Sequence, residues 1–234
     1  LFSLGYDNAP KAMHRVVPHL LILMLATAGC APSPPSGEAP PADVPAAPPC
    51  PPAAEVVDSR MSLREAMDGL QVPAELAARM ALLEVRHLGF DGRIHRGQLV
   101  CDRSVAGDLA LVFERLLADS FPIERVVPIA AYGWDDERSM QANNTSCFNY
   151  RSVLDSGTLS EHAKGRAIDI NPRYNPFVHP RKPVAPANGV YDPGLQGTIT
   201  ERSPAVRHFR HIGWKWGGGW RSAKDYQHFS WNGR

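Results

Sequence analysis

An α+β fold with an antiparallel sheet is what this sequence predicts, on three observations. Strand-like and helix-like segments are short and do not alternate regularly, which disfavours a doubly wound parallel arrangement. Two strand-like segments, 82–88 and 94–101, flank Asp91-Gly92, a dipeptide suited to a hairpin turn. About 180 residues follow a Pro/Ala-rich segment, enough to bury a core.

Along the chain, residues 73–80 read as a helical turn or two, with proline at the start, where its missing N–H costs nothing. Residues 82–88 and 94–101 are the hairpin strands. Residues 104–118 form the clearest helix: Leu109, Val112, Phe113, Leu116 and Leu117 recur at i, i+3, i+4 spacing. Asp102 or Ser104 can cap its start. Residues 123–129 read as a strand. The polar stretch 134–147 lacks periodicity, and its Asp135, Asp136, Asn143 and Asn144 either line a cleft or fix the loop's own backbone. Residues 165–170 and 226–231 read as late strands, separated by a Pro/Gly/Asn-rich excursion over 171–197. Residues 206–211 read as a short helix.

The composition is that of a globular protein, 44% hydrophobic and 21% charged, with a formal net charge of +1, so no overall field marks a nucleic-acid binder. The four cysteines, Cys30, Cys50, Cys101 and Cys147, contain no C-x-x-C pair, which argues against a zinc knuckle or a dithiol redox centre. The 22 prolines are unevenly spread and divide the chain.

Residues 13–30 read as an export address: Met13 is followed by His14 and Arg15, an apolar run from Val16 to about Ala28, and then Gly29-Cys30. The run is short for a spanning helix, which needs about 20 apolar residues. A cysteine after small residues resembles a bacterial lipobox and implies acylation of Cys30; a plain secreted protein is the alternative. Residues 1–12 precede Met13 and are set apart from the fold. Residues 31–54 are mostly Pro, Ala and Ser and cannot bury enough apolar surface to fold. They read as an extended tether containing Cys50, reaching on the order of 70 Å at about 3.1 Å per residue. Residues 55–234 are the expected folded domain, facing the periplasm or cell wall.

Two segments of that domain carry chemistry. In the first, Ser160 to Asn171, Gly165 permits a tight turn into an extended stretch where Asp169 points opposite Ile168 and Ile170. His162 can fold back beside Asp169, giving half of a tetrahedral zinc site. In the second, Asp225-Tyr226-Gln227-His228, His228 supplies a third ligand and leaves a corner open for water, the mark of a catalytic site. Asp225 is the candidate to take the water proton and pass it to a leaving amine. The plainer alternatives are a turn salt bridge between His162 and Asp169 and a strand-end pair of Asp225 and His228.

The motif set resembles the zinc D-alanyl-D-alanine carboxypeptidases of the VanX/VanY type and the related L-alanyl-D-glutamate endopeptidases. Ser160 to Asp169 follows their S-x-H-x-x-G-x-A-x-D pattern, and Asp225 to His228 follows the distal [DE]-x-x-H. Residues 142–151, 171–176 and 213–220 also resemble stretches of one subgroup. The resemblance implies a hedgehog/DD-peptidase fold, a small antiparallel sheet with packed helices. It implies one Zn2+ on His162, Asp169 and His228, with Asp225 as general base. It implies that Arg151 polarises the scissile carbonyl, or else forms a structural salt bridge. It implies that Ser160 bonds the substrate, or else steadies its turn. The expected substrate is a peptidoglycan stem peptide, and the expected membrane contact is the lipid on Cys30. A catalytically silent wall-binding lipoprotein and a hedgehog-type binding module are the rival functions. Trp214, Trp216 and Trp220 form a ligand wall or belong to the core, and His179, His208 and His211 are expected in solvent. Cys101 and Cys147 are candidates for a disulfide in an oxidising envelope, which would close a loop of about 45 residues and contribute about 4 kcal/mol.

Overall fold

The computed structural model describes residues 54–153 and 157–234. The expected address, Cys30, Cys50 and nearly all of the tether lie outside the described residues. The architecture is α+β, with several small sheets and a few short helices.

The first layer contains β1 (Val56–Val57), β2 (Met80–Leu88) and β3 (Ile94–Asp102), in the order β1-β3-β2. The hairpin is antiparallel in unbroken register from Met80↔Asp102 to Leu88↔Ile94, and β1 joins β3 in parallel. Two short helices precede the hairpin. Helix α1 (Leu63–Ala66) starts with a capping box in which Ser62 and Glu65 satisfy each other's backbone N–H. Helix α2 (Ala74–Ala77) starts at Pro73, and residue 80 already belongs to β2. Helix α3 (Ala106–Ala118) follows a 3-10 turn at Arg103–Val105 whose Ser104 amide is capped by Asp102. It buries Leu109, Val112, Phe113 and Leu116 against the sheet, each contributing about 1.5–3 kcal/mol.

The expected strand over 123–129 is mostly irregular. Only β4 (Arg125–Val126) is regular, paired in parallel with β5 (Asn144–Thr145), before a 3-10 turn at Ile129–Tyr132. Pro128 has no N–H to continue a ladder. The Asn144 side chain serves Val127 instead, accepting its N–H at 2.9 Å and donating to its carbonyl at 2.8 Å. The polar stretch contains helix α4 (Asp136–Gln141), capped by Asp135. Asn143 donates to Glu124 and accepts from the Arg173 amide, so these side chains mainly fix backbone and neighbours.

A second small sheet, in the order β6-β11-β9, brings together distant parts of the chain: β6 (Ala167–Asp169), β11 (His228–Ser230) and β9 (Lys215–Trp216). The excursion over 171–197 holds a hairpin, β7 (Phe177–His179) and β8 (Lys182–Ala185), extended by β10 (Lys224–Asp225). The expected strand over 226–231 is regular only at His228–Ser230, and Asp225, which precedes it, lies in a different sheet from His228. Helix α5 (Pro204–His211) packs Phe209 on Phe229, ring centroids 4.2 Å apart. The main core joins α3 and α5 to Ile168, Ile170, Trp214, Trp216 and Phe229. His208 is not simply solvated: its Nε2 lies 2.6 Å from Asp119. No helix among the described residues is long and apolar enough to cross a membrane.

Candidate metal centre

Alternation along two strands places the site. Ile168 and Phe229 are opposite each other in the β6–β11 register and face the core, so Asp169 and its partner His228 turn to the other face. Ser146 pairs with Asp169 on the opposite edge, exchanging backbone bonds of 2.9 and 3.1 Å, which holds the carboxylate's main chain from both sides.

His162 arrives on a 3-10 turn, His162–Lys164, that ends at Gly165 with φ +65°. A Cβ there would sit 2.5 Å from the Asp102 nitrogen, so only glycine lets the turn press against β3. The Ser160 hydroxyl accepts the His162 amide at 3.2 Å, and so steadies the turn. Glu161 clasps the same turn to the end of β11: its carboxylate accepts from Trp231 Nε1 at 2.9 Å and pairs with Lys164 at 2.7 Å. This clasp has no local signal in the chain, because its exposed tryptophan lies 70 residues from Glu161.

The three expected ligands converge. His162, Asp169 and His228 are buried, and each offers a donor atom within 4.8 Å of the others. The outward ring nitrogens are committed: His162 Nδ1 donates to the Cys147 carbonyl at 2.7 Å, and His228 Nε2 donates to the main-chain oxygen of Arg234 at 3.1 Å. A carbonyl can only accept, so those nitrogens carry the protons. The inward nitrogens, His162 Nε2 and His228 Nδ1, then face each other at 3.1 Å. Asp169 lies 3.3 Å from the first and 3.1 Å from the second. In their neutral form, two imidazoles so arranged would turn their free nitrogens to one spot beside a carboxylate, the donor set that a cation takes up. A ligating histidine whose other N–H is held by a carbonyl is the usual support of a metal site.

Without an ion, the electrostatics of the group favour an ionised Asp169 and a protonated His228. Burial works to raise the Asp169 pKa, but the charges and hydrogen bonds of His162 and His228 overcome it and hold the carboxyl well below its ordinary value. Burial works to lower that of His228, and Asp169, with help from Asp225, overcomes it in the other direction.

Asp225 stands beside this group on β10. Burial pushes its carboxyl up to about 6, with the Asp169 charge adding to the rise and the two histidines opposing it. Its Oδ1 is buried without a hydrogen-bond partner. Gly217 makes room for it: a Cβ there would lie 2.8 Å from that of Asp225 and 3.3 Å from that of His228. Arg151 reaches the area through its backbone, whose carbonyl accepts the Ser160 amide at 3.1 Å. Its Nε lies 3.1 Å from Asp136 Oδ2 in an ion pair, off the angle of a hydrogen bond. Trp220 flanks His228 with ring centroids 5.5 Å apart, whereas Trp214 and Trp216 are core.

One expectation fails in this structure. Cys101 and Cys147 are buried free thiols, not a disulfide. The Cys147 thiol points to the Gly165 carbonyl at 3.5 Å, and burial pushes the Cys101 thiol up to about 12, which leaves both unreactive.

Two histidines and an aspartate with one acidic neighbour form a donor set that could hold a metal ion of the zinc class. The family model described as D-alanyl-D-alanine carboxypeptidase, among the M15 peptidases, matches residues 154–231. That segment contains Ser160, His162, Asp169, Asp225 and His228, while Arg151 lies before it. The α+β architecture is compatible with the fold of those peptidases. No curated protein and no solved structure matches the chain.

Proposed function

We propose that the protein is a zinc peptidase that hydrolyses peptide bonds in peptidoglycan stems, as a D-Ala-D-Ala carboxypeptidase or an L-Ala-D-Glu endopeptidase. The observation that carries this is the inward-facing pair of imidazole nitrogens beside Asp169, with one buried carboxylate oxygen of Asp225, Oδ1, left without a partner nearby. The donor set of two imidazoles and a carboxylate suits Zn2+, which when bound acts as a Lewis acid and lowers the pKa of water towards 7. His162, Asp169 and His228 are the ligands.

Asp225 takes the proton of the attacking water and passes it to the leaving nitrogen. Arg151 donates to the scissile carbonyl oxygen and steadies the negative charge that develops there, a role suited to a fixed, multiply donating cation. Ser160 acts chiefly by setting the His162 turn. The chain works in the bacterial envelope, attached through a lipid on Cys30 or secreted, with residues 31–54 as its tether.

The test is digestion of purified muropeptides followed by mass spectrometry. Loss of a terminal D-alanine and a split between L-alanine and D-glutamate give distinct products, and either one supports the proposal. Binding of sacculi with no peptide released, even with zinc added, would instead identify a silent wall-binding protein.

A further inference from the structure

A second cluster of metal-type donors lies in the first sheet, formed by residues outside the peptidase site. His87 and His95 are direct cross-strand partners on β2 and β3, with ring centroids 5.3 Å apart. Asp58, just past β1, reaches both: its Oδ2 lies 3.0 Å from His87 Nε2 and its Oδ1 2.7 Å from His95 Nδ1. The donor atoms of all three fall within 4.8 Å of one another. All three side chains are largely buried, with exposures of 6%, 1% and 12% for Asp58, His87 and His95.

Each of these groups has a separate partner on its far side. His87 Nδ1 donates to the Ile123 carbonyl at 3.0 Å. His95 Nε2 faces Asp91 Oδ1 at 3.0 Å, and Asp58 Oδ2 accepts the Val126 amide at 2.9 Å. Imidazoles that give one N–H to a carbonyl or carboxylate and turn the other nitrogen inward are the outer support of metal ligands. With its proton on Nδ1, a neutral His87 would turn the Nε2 lone pair to the Asp58 carboxylate, a donor pair that a cation would bridge. Space is also reserved here: a Cβ on Gly89 would meet the His95 ring at 2.5 Å and Asp91 Oδ1 at 2.6 Å.

We propose that Asp58, His87 and His95 form a second, structural metal site that takes a divalent transition ion of the zinc class and pins β1 to the hairpin. Imidazole and carboxylate donors select that class over calcium or magnesium. The ligands come from β2, β3 and the residue that follows β1, so the ion closes the edge where the chain enters the fold. Asp91 orients His95 from behind as a positioning residue.

The experiment is zinc content by elemental analysis of the full chain after equilibration with Zn2+ and removal of the excess. The wild type should hold two ions. Asp58→Asn, His95→Gln and His228→Ala should each hold one, and Asp58→Asn combined with His228→Ala none. Loss of one ion in the Asp58 and His95 variants but none in His228→Ala would uphold this site and overturn the peptidase ligands instead. A wild type with a single ion that disappears in His228→Ala would overturn the second site, as would unchanged content in Asp58→Asn. Should that variant fail to fold, ring-nitrogen NMR of the zinc-equilibrated wild type decides. Metal-bound Nε2 of His87 and Nδ1 of His95 are expected, and a His95 protonated on both nitrogens would overturn the site.

Discussion

His162 Nδ1 donates to the main-chain oxygen of Cys147 at 2.7 Å, and this bond fixes which nitrogen of His162 faces the site. It ties a ligand from one segment to the backbone of another, so the site's geometry depends on the packing of the 144–148 stretch against β6. It also gives Cys147 a role through its carbonyl rather than its thiol.

Asp225→Ala should retain zinc and lose turnover. A positioned general base contributes about 10²–10⁴-fold, so kcat for muropeptide cleavage should fall by that factor with metal content unchanged. The wild-type rate should fall as pH drops through the Asp225 pKa, because the base must be deprotonated. That pKa is about 6 in the protein without metal, and a neighbouring dication moves the acid limb lower.

Arg151→Ala should lower kcat by about 10²–10³-fold, the usual cost of removing one oxyanion donor. Zinc content should be unchanged, since the guanidinium pairs with Asp136 and not with a ligand. Asp136→Asn frees the guanidinium without removing it and should cost less, as steady-state kinetics of the two variants can show.

Gly165→Ala should destabilise the fold by about 2 kcal/mol or more, from the left-handed backbone and the clash together. The added methyl collides with backbone of β3 that cannot move aside easily. Urea denaturation measures the loss, and weaker zinc binding should accompany it because the His162 turn shifts.

Asp102→Asn should cost about 1–3 kcal/mol at neutral pH by weakening a buried charged hydrogen-bond network. Asp102 pairs with Arg79 and Arg166 and accepts from the Ser104 amide and hydroxyl. Burial works to raise its pKa, but the Ser104 bonds and the two arginines outweigh it, so the folded value lies below 3.8. A depressed carboxyl stabilises the fold above its unfolded pKa and loses that contribution as pH falls through the folded value. The stability gap between wild type and variant should therefore be full above about pH 5 and shrink in stronger acid.

The hairpin and α3 were legible because their periodicities are unbroken and their packing is local. His162, Asp169, Asp225 and His228 were legible because their spacing carries a pattern, and the β6–β11 register brings the distant pair together. The 123–129 segment misled because its apolar residues are spent on irregular packing around Pro128 and Asn144. The β7–β8 hairpin was hidden by turn-type composition, and its strands are partly exposed. Part of the Asp58 cluster was within reach: strands ending at 88 and starting at 94 place His87 opposite His95. Asp58 was not, since a two-residue strand such as β1 leaves no periodic signal.

Zinc K-edge absorption of the Asp58→Asn protein tests the central claim most directly, because it leaves only the His162/Asp169/His228 centre to be seen. The expected spectrum shows nitrogen and oxygen neighbours at about 2.0–2.2 Å, including two imidazoles, and disappears when His228→Ala is added. A sulfur neighbour at about 2.3 Å, or a zinc signal unchanged by His228→Ala, would contradict it.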